Sequence, residues 1–377
     1  MIQGEISLLG DFRYLFSPLP EEYRVIPEDE RRERTWRAKR RLGKSTLILA
    51  HNYQSDEIVQ FADFTGDSYQ LSRRAAEDKE STYIVFCGVS FMAETADIVS
   101  GGKKIVILPS MEASCPMAGM AEMVQVQKHW GDLADLVGED SLLPITYINT
   151  YADLKAFTGK KGGAICTSSN AEAVFRWALK KNRRIFFFPD YHLGENIGRK
   201  VGIPREQMVI WNPWEGKYGG LSPDVVQKAF LYLWMGFCQV HDRFRVEHIA
   251  QVKEKYPNIK ILVHPECIPE VVEKADEVGS TSRIIEIVEK SPPGTQWAIG
   301  TEYHLVNRLK NQHPEQFIIP LGCEVCIDCN AMRQIDPNYL LWILEELGEG
   351  RVHNRIQVDE ETAEWARVAL DKMLRIY

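Results

Sequence analysis

Short apolar runs alternate with longer amphipathic stretches along most of this 377-residue chain. Runs of three or four apolar residues are too short for helices and are typical of strands buried on both faces of a sheet. The stretches between them are long enough for helices, so the alternation favours parallel sheets over separate all-α and all-β parts. The predicted strands are 47–50, 83–86, 105–108, 145–148, 164–166, 185–188, 261–263, 297–299 and 317–319.

Helices are predicted between these strands and at both ends of the chain. The basic stretch 31–41 fits the solvated face of an N-terminal helix, and residues 360–376 fit a closing helix. The segment that runs through 211–214 to Cys238 contains turn residues and is interpreted as a loop. The other predicted helices begin near Phe91 and after Asn149, Asn170 and Tyr191.

One stretch of the chain occurs twice. Residues 51–68 align without a gap on residues 264–281, with His, Glu, Val, Ala, Asp and Gly in register. Each copy predicts a strand that ends at a histidine, then a helix, then a Gly-Ser/Thr turn. Ligands of open α/β sheets bind at the C-terminal ends of strands, so the duplication indicates two equivalent polar strand ends. A chance match between two amphipathic segments is the alternative.

The alternation divides into three successive α/β units, each of which ends in a loop that carries a cysteine. The length of the chain allows two or three domains. We therefore predict three repeated α/β domains with parallel sheets. The predicted boundaries are an N-terminal extension at 1–44, domains at 45–115, 116–238 and 239–335, and a C-terminal helical segment at 336–377.

Composition restricts the partners and the compartment that we expect. The net charge of −8 argues against nucleic acid as a partner. No apolar run approaches the about 20 residues that span a bilayer, and the first residues do not resemble a secretory signal. We expect a cytoplasmic protein with no membrane partner. In that compartment the eight cysteines are expected to be thiols or metal ligands rather than a disulfide framework.

The cysteines at 323, 326 and 329 form a Cys-x2-Cys-x2-Cys cluster, which is typical of iron–sulfur or zinc sites. The cluster lacks the fourth cysteine and proline of a ferredoxin-type run, so its ligand set is completed from elsewhere or left incomplete. Cys115 and Cys238 lie in equivalent predicted loops and are candidates. Three thiolates on a four-iron cluster leave one iron without a protein ligand, whereas four thiolates coordinate every iron. Alternatively, buried cysteines are common small hydrophobic residues, an interpretation that fits Cys87, Cys166 and Cys267.

A series of motifs resembles the quinolinate synthase family and runs in order from about residue 45 to residue 333. The matching segments are 49–54, 66–68, 88–96, 147–149, 167–171, 238–241, 264–267, 279–281 and 300–302. The resemblance implies three α/β sandwich domains around a pseudo-threefold axis and one [4Fe–4S] cluster per chain with three cysteine ligands. It also implies condensation of iminoaspartate with dihydroxyacetone phosphate to quinolinate, phosphate and water.

The resemblance assigns the cluster to Cys115, Cys238 and Cys329. Cys329 is chosen because the family ligand precedes x2-Met-basic, and the chain reads Cys-Asn-Ala-Met-Arg there. The neighbouring Cys323 and Cys326 form a regulatory disulfide in one interpretation and are bystander thiols in the other.

The resemblance also assigns the chemistry. Tyr53 and Glu266 are the best acid/base candidates, with His51, His241 and His264 orienting substrate or donating protons. Tyr53 and Glu266 occupy matched positions of the repeat. The residues expected to bind substrate are His51, Ser68, Tyr147, Asn149, Ser168, His264, Glu266 and Thr281.

Several alternatives stay open at this point. Ser68, Ser168 and Thr281 are expected to begin helices, where Ser and Thr are also ordinary N-caps. The chain as a whole fits an iron–sulfur electron-transfer or redox-sensing protein, or a zinc-stabilised binding module for a phosphorylated metabolite. If it is the synthase, an aspartate oxidase or dehydrogenase must supply the unstable iminoaspartate.

Overall fold

The computed structural model describes residues 16–322 and 327–376. These residues form two compact units. The first unit contains residues up to 115 together with 328–359, and the second contains 116–327 and the segment from 360 onward. Each unit is described separately below.

The strands are mostly short and apolar. They are β1 Thr46–His51, β2 Phe64–Gly66, β3 Tyr83–Cys87, β4 Ile105–Ile107, β5 Leu142–Tyr147, β6 Ala164–Cys166, β7 Arg184–Phe188, β8 Met208–Trp211, β9 Leu231–Trp234, β10 Lys260–Val263, β11 Glu277–Val278, β12 Gln296–Gly300, β13 Phe317–Pro320 and β14 Arg355–Ile356.

The α-helices occupy the connections between strands and the segments that flank them. They are α1 Glu21–Arg24, α2 Glu28–Leu42, α3 Asp56–Val59, α4 Ser68–Glu77, α5 Ser90–Val99, α6 Met123–Val137, α7 Ala152–Lys160, α8 Ala171–Leu179, α9 Tyr191–Lys200, α10 Pro223–Lys228, α11 Val246–Lys255, α12 Pro269–Lys274, α13 Thr281–Lys290, α14 Tyr303–Gln312, α15 Asn330–Arg333, α16 Pro337–Gly348 and α17 Glu360–Arg375.

The strands form three sheets, and in each of them the first strand in the chain lies between the second and the third. The first unit has the sheet β2-β1-β3-β4, extended by β14, which pairs antiparallel with β4. The second unit has the sheets β6-β5-β7-β9-β8 and β11-β10-β12-β13, whose strands are all parallel. These mostly parallel sheets, flanked by helices, confirm the predicted α/β class. The pseudo-threefold arrangement and the domain boundaries remain predictions.

Every strand predicted from the apolar runs is present, and its ends match the prediction or differ from it by up to about three residues. The predicted loop through 211–214 to Cys238 is wrong in part. That region contains the edge strand β8, the helix α10 and the strand β9, before a loop that carries Cys238. Both strands are short apolar runs, β8 half-buried at the sheet edge and β9 buried inside it, but the turn residues between them obscured this signal.

The two copies of the repeat fold alike, down to individual hydrogen bonds. Asp63 accepts from the Ile48 backbone N–H at 2.8 Å, and the matched Asp276 accepts from Ile261 at 2.7 Å. At each histidine, Nδ1 accepts from the N–H two residues later, in His51 at 3.2 Å and in His264 at 3.4 Å. Each copy also contains a short strand that was not predicted, β2 or β11, which pairs with the strand leading into the copy, β1 or β10. This shared pattern favours duplication over a chance match.

Gly159 allows α7 and α17 to pack closely in the second unit. A Cβ atom at this position would lie 1.9 Å from the Trp365 carbonyl oxygen of α17. We expect Gly159→Ala to destabilise the protein by about 1–3 kcal/mol, because the helices must separate. Gly131, in the exposed interior of α6, has nothing within 4 Å of the same atom and is the matched control. Gly131→Ala should stabilise by about 0.5–1 kcal/mol. Thermal unfolding measures both, and equal shifts would contradict the expected difference.

Among residues 16–322 and 327–376, no helix is both long enough and apolar enough to cross a membrane.

Candidate active site

A buried glutamate lies at the centre of the polar groups of the second unit. Glu266 follows β10 and is 3% exposed. Its Oε2 lies 2.6 Å from Nδ1 of His241 and 3.3 Å from Nδ1 of His264. The hydroxyl of Tyr147, at the end of β5, also forms a hydrogen bond with Glu266. Three residues predicted from separate sequence motifs therefore converge on one carboxylate.

The surroundings of Glu266 favour its ionised form. Burial raises the pKa of the carboxyl, but the electrostatic interactions with His264 and His241 and the close contacts of His241 and Tyr147 outweigh burial and lower it. The surroundings of Tyr147 favour its neutral form, since burial and the negative charge of Glu266 raise the pKa of its hydroxyl well above the ordinary value. Tyr147 is therefore a protonated donor beside an ionised acceptor.

The two histidines are held face to face. The rings of His241 and His264 are stacked, with centroids 4.2 Å apart and planes inclined by 13°. His241 follows β9 and His264 follows β10, so the two rings come from different sheets of the same unit. Nε2 of His241 lies 3.1 Å from the Thr301 hydroxyl, just after β12. The sequence analysis did not identify Thr301, although it lies in a motif, 300–302, that the resemblance includes.

Asp190 is a second residue that the sequence analysis missed. It follows β7, has no exposed surface, and caps α9 by accepting from the Leu193 N–H at 3.0 Å. Burial and the negative charge of Glu266 raise the pKa of Asp190 well above its ordinary value, so its protonated form is favoured. The available signal was its place just after the predicted strand 185–188 and Pro189, since the histidines also lie at the ends of strands.

Cys238 lies beside this cluster. Its Sγ and ligand atoms of His241 and Glu266 all lie within 4.8 Å of one another. The side chain of Cys238 is half-buried. Thiolate, imidazole and carboxylate are all metal ligands, so this donor set fits a metal centre.

The cysteines of the described chain fall into two groups. Cys87, Cys166 and Cys267 are fully buried, and burial raises the pKa of each thiol, which disfavours the thiolate that binds metal. The half-buried cysteines are those predicted as ligands, and each lies in the loop after the last parallel strand of its sheet: Cys115 after β4, Cys238 after β9 and Cys329 after β13. The first and last of these belong to the first unit. Cys323 and Cys326, and with them the predicted disulfide, lie outside the described residues.

The first unit also holds the other half of the repeat. His51 ends β1, and its ring packs edge-to-face on Tyr53, with centroids 4.8 Å apart. Ser68 is the first residue of α4, and Asp67 before it caps the helix in a capping box with Gln70. Because the cap is Asp67, the alternative interpretation of Ser68 as an N-cap is wrong.

The remaining predicted binding residues lie in the second unit. Thr281 begins α13, and the cap is Ser280, so the N-cap interpretation is wrong here too. Ser168 does not begin a helix as predicted, because it lies in a turn before α8. The two regions are close, since the Ser169 and Ser280 hydroxyls are 2.8 Å apart. Within the described part of the chain, the buried Oδ1 of Asn149 has no hydrogen-bond partner.

Comparison with known proteins places the chain in a family. The model of the quinolinate synthetase A protein family matches residues 34–375. The quinolinate synthase of Halobacterium salinarum is 52% identical over 358 residues, 95% of each chain. The quinolinate synthase of Rhodopirellula baltica is 47% identical, over 94% of this chain and 93% of its own. That of Geobacillus thermodenitrificans is 45% identical, over 98% of this chain and all of its own. The chain therefore belongs to the quinolinate synthase family of enzymes.

Proposed function

We propose that this enzyme condenses iminoaspartate with dihydroxyacetone phosphate to give quinolinate, phosphate and water, a step of NAD biosynthesis. The observation that carries the proposal is the buried Glu266 carboxylate, which contacts two histidines and a tyrosine beside a cysteine thiol. Such an arrangement combines groups that accept and donate protons with a thiol ligand, as a condensation followed by dehydration requires.

Glu266 and Tyr53 are the proposed acid/base residues. The ionised Glu266 accepts a proton from the carbon skeleton, and His241 or His264 provides the path by which that proton leaves. Tyr147 keeps its hydroxyl proton and hydrogen-bonds the carboxylate or an oxygen of the substrate. His51 packs on Tyr53 and orients that ring.

Substrate carboxylates and phosphate are proposed to bind at helix starts. Ser68 and Thr281 are the first residues of α4 and α13, where backbone N–H groups favour anions. Ser168, beside Ser169 and thus close to Ser280, adds a hydroxyl to the second of these places. Asn149 supports the assignment, because its buried Oδ1 is left for a substrate N–H or O–H to pair with.

Cys115, Cys238 and Cys329 are the proposed ligands of one [4Fe–4S] cluster per chain. What supports them is their chemistry: they are the half-buried cysteines among the described ones, and all three lie in corresponding loops. When bound, such a cluster supplies an open iron that acts as a Lewis acid. The proposed cytoplasmic location is consistent with an oxygen-sensitive cluster and with intracellular substrates.

An anaerobic assay tests the proposed function. Protein purified without oxygen is mixed with dihydroxyacetone phosphate, and an aspartate oxidase or dehydrogenase supplies iminoaspartate. Quinolinate, identified by chromatography and mass, should form in proportion to enzyme and should require both substrates. If protein with a complete cluster gives no quinolinate, the proposal is wrong. The proposed reaction does not require a direct complex with the enzyme that supplies iminoaspartate.

A further inference from the structure

The side-chain amide of Asn170 joins the turn that carries Ser168 to the C-terminal end of α17. Asn170 is 3% exposed. Its Oδ1 accepts from the Thr167 backbone N–H at 2.8 Å. Its Nδ2 donates to the carbonyl oxygen of Met373 at 3.0 Å and to that of Ile376 at 3.2 Å. One buried amide therefore bonds together two parts of the second unit that are far apart in the chain.

The partners of this amide fix its orientation. A backbone N–H can only donate, so it must face the amide oxygen, and carbonyl oxygens can only accept, so they must face the amide nitrogen. Rotation of the amide by about 180° would break all three hydrogen bonds and leave buried polar groups unpaired. Asn170 is therefore held in a single orientation.

The end of α17 is a firm anchor for the amide. The helix buries Ala366, Ala369, Leu370 and Met373 completely, and it packs against α7 and β6. The last carbonyls of a helix have no partner within the helix, so they accept from groups elsewhere. Asn170 supplies the donor for two carbonyls at this helix end. The turn is thus bonded to a helix whose own position is set by packing.

The anchored turn, residues 167–170, lies beside the start of α13. It is closed by a second contact, in which the Asn170 backbone N–H donates to the Thr167 carbonyl at 3.2 Å. From this turn the Ser169 hydroxyl lies 2.8 Å from that of Ser280, the residue that caps α13. The position of the turn therefore decides where its hydroxyls lie relative to the N–H groups of α13, which favour anions.

We propose that Asn170 is a positioning residue that holds the substrate-binding turn 167–170 in place by anchoring it to the end of α17. The role deepens the proposed function and rests on it, because Ser168 and Thr281 are assigned there to substrate binding. Asn170 acts only through the turn.

The test compares Asn170→Asp with Lys372→Met. Asn170→Asp keeps the oxygen that accepts from Thr167 and puts a second oxygen, which the two carbonyls repel, in place of the amide nitrogen. Measurements are made at pH 8, so that the introduced carboxyl is ionised. Lys372→Met is the matched control, because Lys372 bonds the same helix to the carbonyls of Gly162 and Gly163, at 2.8 and 3.0 Å, and not to the turn. Both variants should unfold at a lower temperature than the wild type.

Loss of the anchor should appear in KM rather than in kcat. We expect Asn170→Asp to raise KM for at least one of the two substrates about 5- to 50-fold, because the binding conformation of the turn is populated less. Its kcat should change by less than about twofold, and so should KM in Lys372→Met. Asn170→Ala, which removes the anchor without adding a charge, is measured in its place if the carboxylate prevents folding. An equal rise of KM in variant and control, or a loss confined to kcat, would overturn the proposal.

Hydrogen exchange measures the anchor without turnover, which separates this inference from the proposed function. In Asn170→Asp the backbone amides of 167–170 should exchange at least about 10-fold faster than in the wild type, because the turn opens more readily. In Lys372→Met they should exchange at the wild-type rate. Unchanged exchange in Asn170→Asp would refute the anchoring even if quinolinate is formed, whereas faster exchange in a protein that forms no quinolinate would refute only the proposed reaction.

Discussion

Replacement of Cys238 by serine should remove the cluster and with it the activity. Protein purified without oxygen is expected to be brown and to contain about four irons per chain, the stoichiometry of a [4Fe–4S] cluster. With Cys238→Ser we expect iron to fall below about one per chain, because a serine hydroxyl does not replace a thiolate that holds one corner of the cluster. Iron analysis, the visible absorption spectrum and the quinolinate assay measure the three effects together.

Cys166→Ser is the matched control for this change. Cys166 lies in the same unit but is fully buried at the end of β6, with a thiol whose pKa burial raises. The control should keep its iron and its colour.

Two results would favour the other functions that the cysteine spacing allows. If Cys323→Ser and Cys326→Ser lose iron as completely as Cys238→Ser, a closed electron-transfer cluster is indicated. Colourless wild-type protein that contains zinc indicates a binding module.

The strand ends that carry the site could be predicted because they belong to a repeated sequence. The strands that lead to His51 and His264 are short apolar runs followed by a polar residue, and both signals are local. The repeat also places Tyr53 and Glu266 at matched positions, which the sequence alone shows. What the sequence could not show is that Glu266 meets His241 and Tyr147, since those contacts join side chains more than 20 positions apart and from different strands.

Residues that the sequence analysis missed share a physical reason. Asp190 and Thr301 each follow a strand, but neither lies in the duplicated stretch, and a place after a strand does not by itself separate a site residue from an ordinary polar loop residue. Their proximity to Glu266 or to His241 depends on how two sheets pack within the second unit. The predicted caps of α4 and α13 are wrong for a simpler reason. Asp67 and Ser280 are residues that cap helices as readily as their neighbours Ser68 and Thr281, and the sequence does not fix the start of a helix to one residue.

Replacement of Glu266 by glutamine should lower kcat about 10²- to 10⁴-fold, the range that a positioned proton-transfer group contributes. The amide keeps the shape of the side chain, and its oxygen still accepts from Nδ1 of His241, so the fold and the positions of the histidines should be preserved. What is lost is the negative charge that two histidines face and the site that takes up a proton. The loss should therefore appear in kcat more than in KM, and steady-state kinetics on protein with matched iron content measure it.

Glu195→Gln is the control that tests whether any buried glutamate would have this effect. Glu195, in α9, is also buried in the second unit, but it pairs with Arg199 and Arg205 rather than with histidines. Glu195→Gln should lower the thermal unfolding temperature, because two guanidinium groups lose their charged partner. It should leave kcat nearly unchanged. If Glu266→Gln instead keeps more than about a tenth of kcat, the carboxylate transfers no proton in the slow step. The site would then owe its activity to binding and to the cluster, and Tyr53 would become the first residue to test for proton transfer.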